Sequence, residues 1–169
     1  MDKEIIDRRK KWKTLSAQRM TRVLQTTELI ANLSSHNYEF EDEWLQFLLK
    51  RHKEKGIEIR GIFENPSVEL GKKLSSKFVF PEISMETQLT LKQIKFIEIA
   101  QKRMSNLYKE MNYLGRLANT KNYTYDLMDV DYIFEIYEAK SEELRMWFPP
   151  FKNERIENVV KISDYPSEN

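Results

Sequence analysis

The sequence predicts an all-α fold: two tandem helical hairpins packed as a four-helix arrangement, with a docked linker between them and a short C-terminal helix. Three observations carry that expectation. Only four Gly and five Pro occur among 169 residues, while Glu, Lys, Leu, Ile and Met are abundant, the composition of a helical chain. Apolar residues recur at helical spacing through four long stretches. The segment Leu33-Ser-Ser-His-Asn-Tyr-Glu-Phe-Glu41 returns as Leu117-Ala-Asn-Thr-Lys-Asn-Tyr-Thr-Tyr-Asp126, each time between two of those stretches.

Taken in order, Ile5, Trp12, Leu15, Val23, Leu24, Thr27, Ile30 and Leu33 form the stripe of a first helix, free of Gly and Pro. Ser34-Ser35-His36-Asn37 breaks the period, because these side chains compete for backbone hydrogen bonds. A second helix starts near Glu41, with Glu41-Asp42-Glu43 complementing the positive end of its dipole, and uses Trp44, Leu45, Leu48, Leu49 and His52. Its end is ambiguous. Gly56 to Phe63 alternates apolar and polar residues, as a short strand pairing with Phe78-Val79-Phe80 would. Helix to Phe63 is preferred, because the matching stretch Ser141 to Phe148 is plainly helical.

Asn65-Pro66 and Phe80-Pro81 bracket the connector, which has room for one helical turn over Ser67 to Leu74 and apolar residues to dock it. A third helix starts between Ser84 and Thr90, where Thr90-Leu-Lys-Gln93 fits a capping box. A fourth is capped by Asp126 and stopped by Pro149-Pro150. A short amphipathic helix over Glu154 to Ile162 and a polar tail follow. The expected division is thus a first hairpin over 1–63, a linker over 64–89, a second hairpin over 90–150, and a short helix with tail over 151–169.

The totals exclude several classes. Charged residues make up 33% of the chain yet nearly cancel, to a formal net charge of +1, so strong non-specific attraction to nucleic acid or anionic lipid is not expected. Cys is absent, which removes disulfides, thiolate metal sites and cysteine nucleophiles. The charged start lacks a signal-peptide core and no apolar run suits a bilayer, so a cytoplasmic protein without a membrane partner is expected.

Aligning residues 11–63 with 95–148, allowing one extra residue at Lys121, gives ten identities. Their placement says more than their number: Trp12 meets Phe96, Phe40 meets Tyr125, Phe47 meets Tyr132 and Ile59 meets Leu144. Arg19 and Arg103 each fall on an apolar stripe, where an unpaired charge is costly. Glu54 or Glu58 is the expected partner of Arg19, and Glu138 or Glu143 that of Arg103. Asn37-Tyr38 and Asn122-Tyr123 read as structural: Asn accepts the turn, and the aromatics close the hairpin end.

Arg8-Arg9-Lys10-Lys11-Trp12, Arg19, Leu29-Ile-Ala-Asn-Leu-Ser34 and Asn37-Tyr38-Glu39-Phe40 together resemble a pattern in short helical-hairpin proteins of bacteria, phages and mobile elements. The likeness spans roughly 50 residues per copy and is looser in the second. It implies a genetic setting and no activity, cofactor or site.

Two basic runs stand out, Arg8-Arg9-Lys10-Lys11 with Lys13, and Lys50-Arg51 with Lys53. In a hairpin of neighbouring helices they would merge into one patch able to neutralise phosphates. Asp126, Asp129 and Asp131 have the look of a hard-metal set, but helical spacing turns the third away, so a cap is the better reading. His36 and His52 are too far apart for a local metal motif. No nucleophile elbow, phosphate loop, metalloprotease helix or dinucleotide fingerprint is present. The sequence therefore points away from an enzyme and calls for no metal or cofactor. It points to a helical interaction or regulatory module that binds a partner protein or nucleoprotein complex. The alternative is a nucleic-acid binder acting through the two basic runs.

Overall fold

The computed structural model describes residues 2–81, 83 and 88–149. Its helices are α1 (Lys3–Ala31), α2 (Asp42–Glu64), α3 (Pro66–Glu69), α4 (Leu91–Gly115) and α5 (Leu127–Met146), and no strand occurs among the described residues. The chain is all-α. The alternating stretch Gly56 to Phe63 is the end of α2, so the strand alternative fails there. The helix expected over Glu154 to Ile162 lies outside the described residues.

Local chemistry sets the helix starts. Thr90 accepts from the backbone N–H of Gln93 at 3.0 Å, and the Gln93 side chain accepts from the Thr90 N–H at 2.9 Å. Asp126 and Asp129 make the same reciprocal box at the head of α5, at 2.8 and 3.1 Å. Each satisfies backbone donors that a helix start leaves open. Glu41, at the head of α2, makes no side-chain cap bond. Both α1 and α4 run on into a three-residue 3-10 turn, Asn32–Ser34 and Arg116–Ala118, at positions 84 apart.

The long helices do not pack as two side-by-side hairpins. α1 packs along α4 and α5, and α2 packs along the same two, which places the helices of each hairpin across the bundle's diagonal. Ion pairs and ring contacts fix the directions. Arg9 meets Asp126 and Asp129 while Glu28 meets Lys140, so α1 and α5 run the same way. Phe63 meets Phe134 while His52 stacks on Tyr137, so α2 and α5 run oppositely. The expectation of neighbouring helices within each hairpin is corrected accordingly. The short loops fix antiparallel order but not adjacency.

The contacts between halves are reciprocal. Arg19 donates to the carbonyl of Tyr113 at 2.9 Å and Arg103 donates to that of Leu29 at 2.6 Å; both pairs of positions, 19 with 103 and 29 with 113, are 84 apart. The Trp12 ring stacks on Tyr125 with centroids 5.5 Å apart, and Phe96 sits against Phe40 at 5.0 Å. Phe63 meets Tyr125 edge-on at 5.4 Å, and Phe148 meets Phe40 edge-on at 5.6 Å. Each loop aromatic thus closes the end of the other half. Thr26 donates to Glu110, and His52 stacks on Tyr137 at 4.8 Å, so at these two places matched positions touch one another.

The connector is docked. Phe78 and Phe80 are buried, and their backbone N–H groups donate to Ser105 at 2.9 Å and Gln101 at 3.1 Å. The core beneath holds Leu48, Ile59, Phe96, Met104, Leu107, Met111 and Leu114, all fully enclosed. Burying side chains of that size contributes about 1.5–3 kcal/mol each, before the entropy of ordering them.

Candidate functional site

The residues singled out from sequence fall into three groups. Arg19 and Arg103 do not pair with the expected carboxylates; each reaches a carbonyl of the opposite half. Arg19 also lies over the exposed Tyr113 ring, 3.7 Å from its centroid, a contact of about 0.5–1 kcal/mol. Two of the carboxylates proposed for them serve buried lysines instead: Lys55 donates to Glu58 at 2.7 Å, and Lys140 pairs with Glu143 at 3.4 Å. The sequence could place each Arg on the stripe but had no means of seeing a backbone acceptor across the bundle.

Asn37 and Asn122 are exposed in the loops, while Tyr38 and Tyr123 are partly buried against the core. Lys95 lies over the Tyr38 ring at 5.3 Å and Lys11 over Tyr123 at 5.7 Å, again matched positions once the extra residue at Lys121 is allowed for. These rings pack against the core and seat the loops.

The basic runs do not merge. Trp12 of α1 is level with Phe63 of α2, and Thr27 is level with His52, so residues 8–13 and 50–53 lie at different heights on diagonal helices. At about 1.5 Å per residue, the 15 positions from Trp12 to Thr27 separate them by roughly 22 Å. The first run is also engaged: Arg8 pairs with Glu4 at 2.7 Å, and Arg9 with Asp126 at 3.2 Å and Asp129 at 3.1 Å. This answers why cations sit near the start of α1 against its dipole: the acidic head of α5 lies beside them. Lys50 and Arg51 share Glu54. The expectation of one continuous patch is corrected.

Asp126, Asp129 and Asp131 divide between the cap and an ion pair from Arg60 to Asp131. Among the described residues no group of three or more His, Asp or Glu is placed to hold a metal ion. His52 is fully buried. Thr27 gives its proton to the Val23 carbonyl, so its oxygen accepts from His52 Nε2 at 2.9 Å, which leaves Nδ1 to accept from Ser141 at 2.6 Å. The Ser–His distance is that of a nucleophile and its base. The chemistry is not: burial, with the Lys140 charge nearby, lowers the His52 pKa to about 3, far below the useful range for a general base at neutral pH.

What the sequence did not single out is a groove of about 830 Å³ between α2 and α5. Phe47, Leu49 and Ala139 give it apolar walls. Lys50 and Lys53 line the α2 side, and Glu135, Glu138 and Glu142 the α5 side together with Arg145, which pairs with Glu142. The paired helices share this groove because Phe47 is only half-buried, covered from the other side by Phe78 and Phe80. The signal was present as the run of acids on the outer face of α5, but only the packing shows which cations stand opposite. Among the described residues no helix is long and apolar enough to cross a membrane. The chain matches no protein-family model, and no curated protein or solved structure matches it.

Proposed function

We propose that the protein is a non-enzymatic helical interaction module, a duplicated hairpin that binds a partner protein through the groove between α2 and α5. The observation that carries this reading is the groove's make-up: apolar walls between Lys50 and Lys53 on the α2 side and Glu135, Glu138 and Glu142 on the α5 side, where Arg145 also lines the groove and pairs with Glu142, leaving that rim net acidic. An amphipathic helix of a partner would lay its apolar face on Phe47 and Leu49, with acids toward α2 and bases toward α5. Opposed rims of opposite charge fix the orientation and register of such a helix more than its affinity. The low basicity of His52 and its enclosure support the non-enzymatic part. The reciprocal contacts at positions related by 84 or 85 residues support the duplication. Recognition of nucleic acid through Arg8, Arg9, Lys10, Lys11, Lys13, Lys50, Arg51 and Lys53 is the weaker reading, because those cations are split between two heights and several are already paired.

The absence of Cys makes the test direct. Gln46→Cys, on the groove wall, and Gln18→Cys, on exposed α1, each carry a photo-crosslinker in cells of the source. The expected result is a protein adduct from position 46, none from position 18, and loss of the first when Lys50 and Lys53 are changed to Glu. An adduct of twice the chain's own mass would make the occupant a second copy. Equal labelling from both positions, or from neither, rejects the groove as the contact surface.

A further inference from the structure

Away from that groove, α1 and α4 enclose a cleft of about 390 Å³ whose lining includes Arg19, Arg22, Lys109 and Arg116, together with Glu110 and Tyr113. Four cations face one carboxylate there. Arg19 is buried, its guanidinium held by the Tyr113 carbonyl and ring, and among the described residues no carboxylate pairs with it. Arg22, Lys109 and Arg116 are exposed, and none of them makes an ion pair within 4 Å among the described residues. Arg116 also lies over the Tyr113 ring, 5.5 Å from its centroid. Glu110, whose oxygens accept from Thr26 and which feels the Arg22 charge, is one carboxylate against four cations and leaves the set with an excess of positive charge.

The other half of the molecule provides an internal control. The reciprocal bonds Arg19 to Tyr113 and Arg103 to Leu29 relate this cleft to the region around Leu29. At the matched positions there, Arg22 becomes Asn106, Lys109 becomes Gln25 and Arg116 becomes Asn32. Only the arginine that bonds across the bundle is common to both sides. The other half thus folds with neutral amides at these three positions, so the reciprocal packing does not depend on cations there. Concentrating like charges in one concavity costs self-repulsion unless an anion neutralises it.

We infer that the cleft formed by Arg19, Arg22, Lys109 and Arg116 is a binding site for adjacent phosphate groups, as carried by a free di- or triphosphate or by a nucleic-acid backbone. Arginine forks match phosphate oxygens two at a time, the buried Arg19 is pre-oriented by its ring, and the flexible Lys109 adds a movable charge. The volume lies within the range of small-ligand sites, large enough for a polyphosphate.

The test replaces the cleft cations with the residues that stand at their matched positions: Arg22→Asn, Lys109→Gln and Arg116→Asn together, with Arg19 retained. Calorimetric titration at low ionic strength uses inorganic pyrophosphate, inorganic triphosphate and a labelled single-stranded RNA. A companion variant, Lys3→Gln with Lys72→Gln, at exposed positions outside the cleft and both basic runs, controls for charge lost elsewhere. Wild type should bind at least one probe. The cleft variant should weaken that binding about tenfold or more, as expected for loss of charge-assisted phosphate bonds, and the companion should not. Binding of the small anions identifies a free polyphosphate as the source; binding of RNA alone, with steep salt dependence, identifies the polymer. Failure of wild type to bind any probe overturns the inference. So does equal binding by the cleft variant, or equal weakening in the companion. Should the triple variant fold poorly by circular dichroism, Arg22→Asn and Arg116→Asn are titrated singly and judged by the same criterion.

Discussion

Two glycines of α2 show how one residue type can serve opposite ends. A Cβ at Gly56 would stand 2.5–2.6 Å from the ring of Tyr137, which is enclosed, stacks on His52 and donates to the His52 carbonyl at 2.5 Å. The ring occupies the place a side chain would take. Gly61 has nothing within 4 Å of its missing Cβ. Gly61→Ala should therefore raise unfolding free energy by about 0.5–1 kcal/mol, the helix-propensity difference. Gly56→Ala should lower it by about 1–3 kcal/mol, since overpacking against a held ring outweighs the same propensity gain. Urea denaturation of the two variants compares them; equal signs would refute the packing assigned to Tyr137. The neighbouring His52 sets a pH dependence. Its folded pKa is lowered to about 3 from an ordinary 6.5, by burial first and the Lys140 charge second. Between those values the unfolded chain binds a proton that the folded chain does not, so stability rises with pH in that window and is lost as pH falls below about 6.5. Between about pH 7.5 and pH 5 the slope should steepen toward about 1.4 kcal/mol per pH unit, and His52→Gln should flatten it even though it lowers stability overall. Asp126 and Glu142, held low by hydrogen bonds, begin to protonate only in more acidic solution. Glu110, raised by burial, acts in the opposite sense. The slope change on removing His52 isolates it from all three.

At the scale of the helix, the caps differ in a way that stability can read. Thr90 and Asp126 each close a reciprocal box, whereas Glu41 offers its helix no side-chain bond. Thr90→Ala and Asp126→Ala should each cost about 1 kcal/mol, and Glu41→Ala should fall within about 0.5 kcal/mol of wild type. Thermal unfolding of the three variants ranks them, and a large loss at Glu41 would contradict the cap geometry. These starts were legible in the sequence because a cap is a local event, written within four residues. The end of α2 was nearly lost to its glycines, since alternation over eight residues cannot distinguish a strand from a helix that has opened a gap for Tyr137. Partner choice was not legible at all. An apolar stripe says that a face is covered, not by which helix. The carboxylates nearest to Arg19 in a simple hairpin were therefore plausible and wrong, and the two basic runs were merged on the same assumption. The cleft lay further out of reach, since Arg22 on α1 meets Lys109 and Arg116 on and beyond α4 only when α1 lies along α4. Its trace was the exchange of Arg, Lys and Arg for Asn, Gln and Asn at matched positions, which a comparison restricted to apolar identities passes over.

The diagonal arrangement has a consequence for the whole molecule. In a bundle of two self-contained hairpins, each half would bury part of its own stripe and retain some structure alone. Here the principal neighbours of α1 are α4 and α5, and those of α2 are the same two. Cutting the chain in the connector removes most of the packing from every long helix at once. The aromatic closures are divided as well: Phe40 leaves Phe96 and Phe148, and Tyr125 leaves Trp12 and Phe63. Isolated helices of this kind gain little from propensity alone, and most of their stability comes from covering the apolar face. A fragment of residues 1–70 and one of residues 71–169 should therefore each show weak helical circular dichroism and no cooperative thermal transition. Mixed in equal amounts they should recover helix and a single transition whose midpoint rises with concentration, because the contacts of Phe47 with Phe78 and Phe80 and both aromatic closures re-form between the fragments. The full chain should unfold in one step, with no plateau attributable to half of it. Substantial, cooperatively melting helix in either fragment alone would mean that a hairpin closes on itself, and the diagonal packing would have to be abandoned.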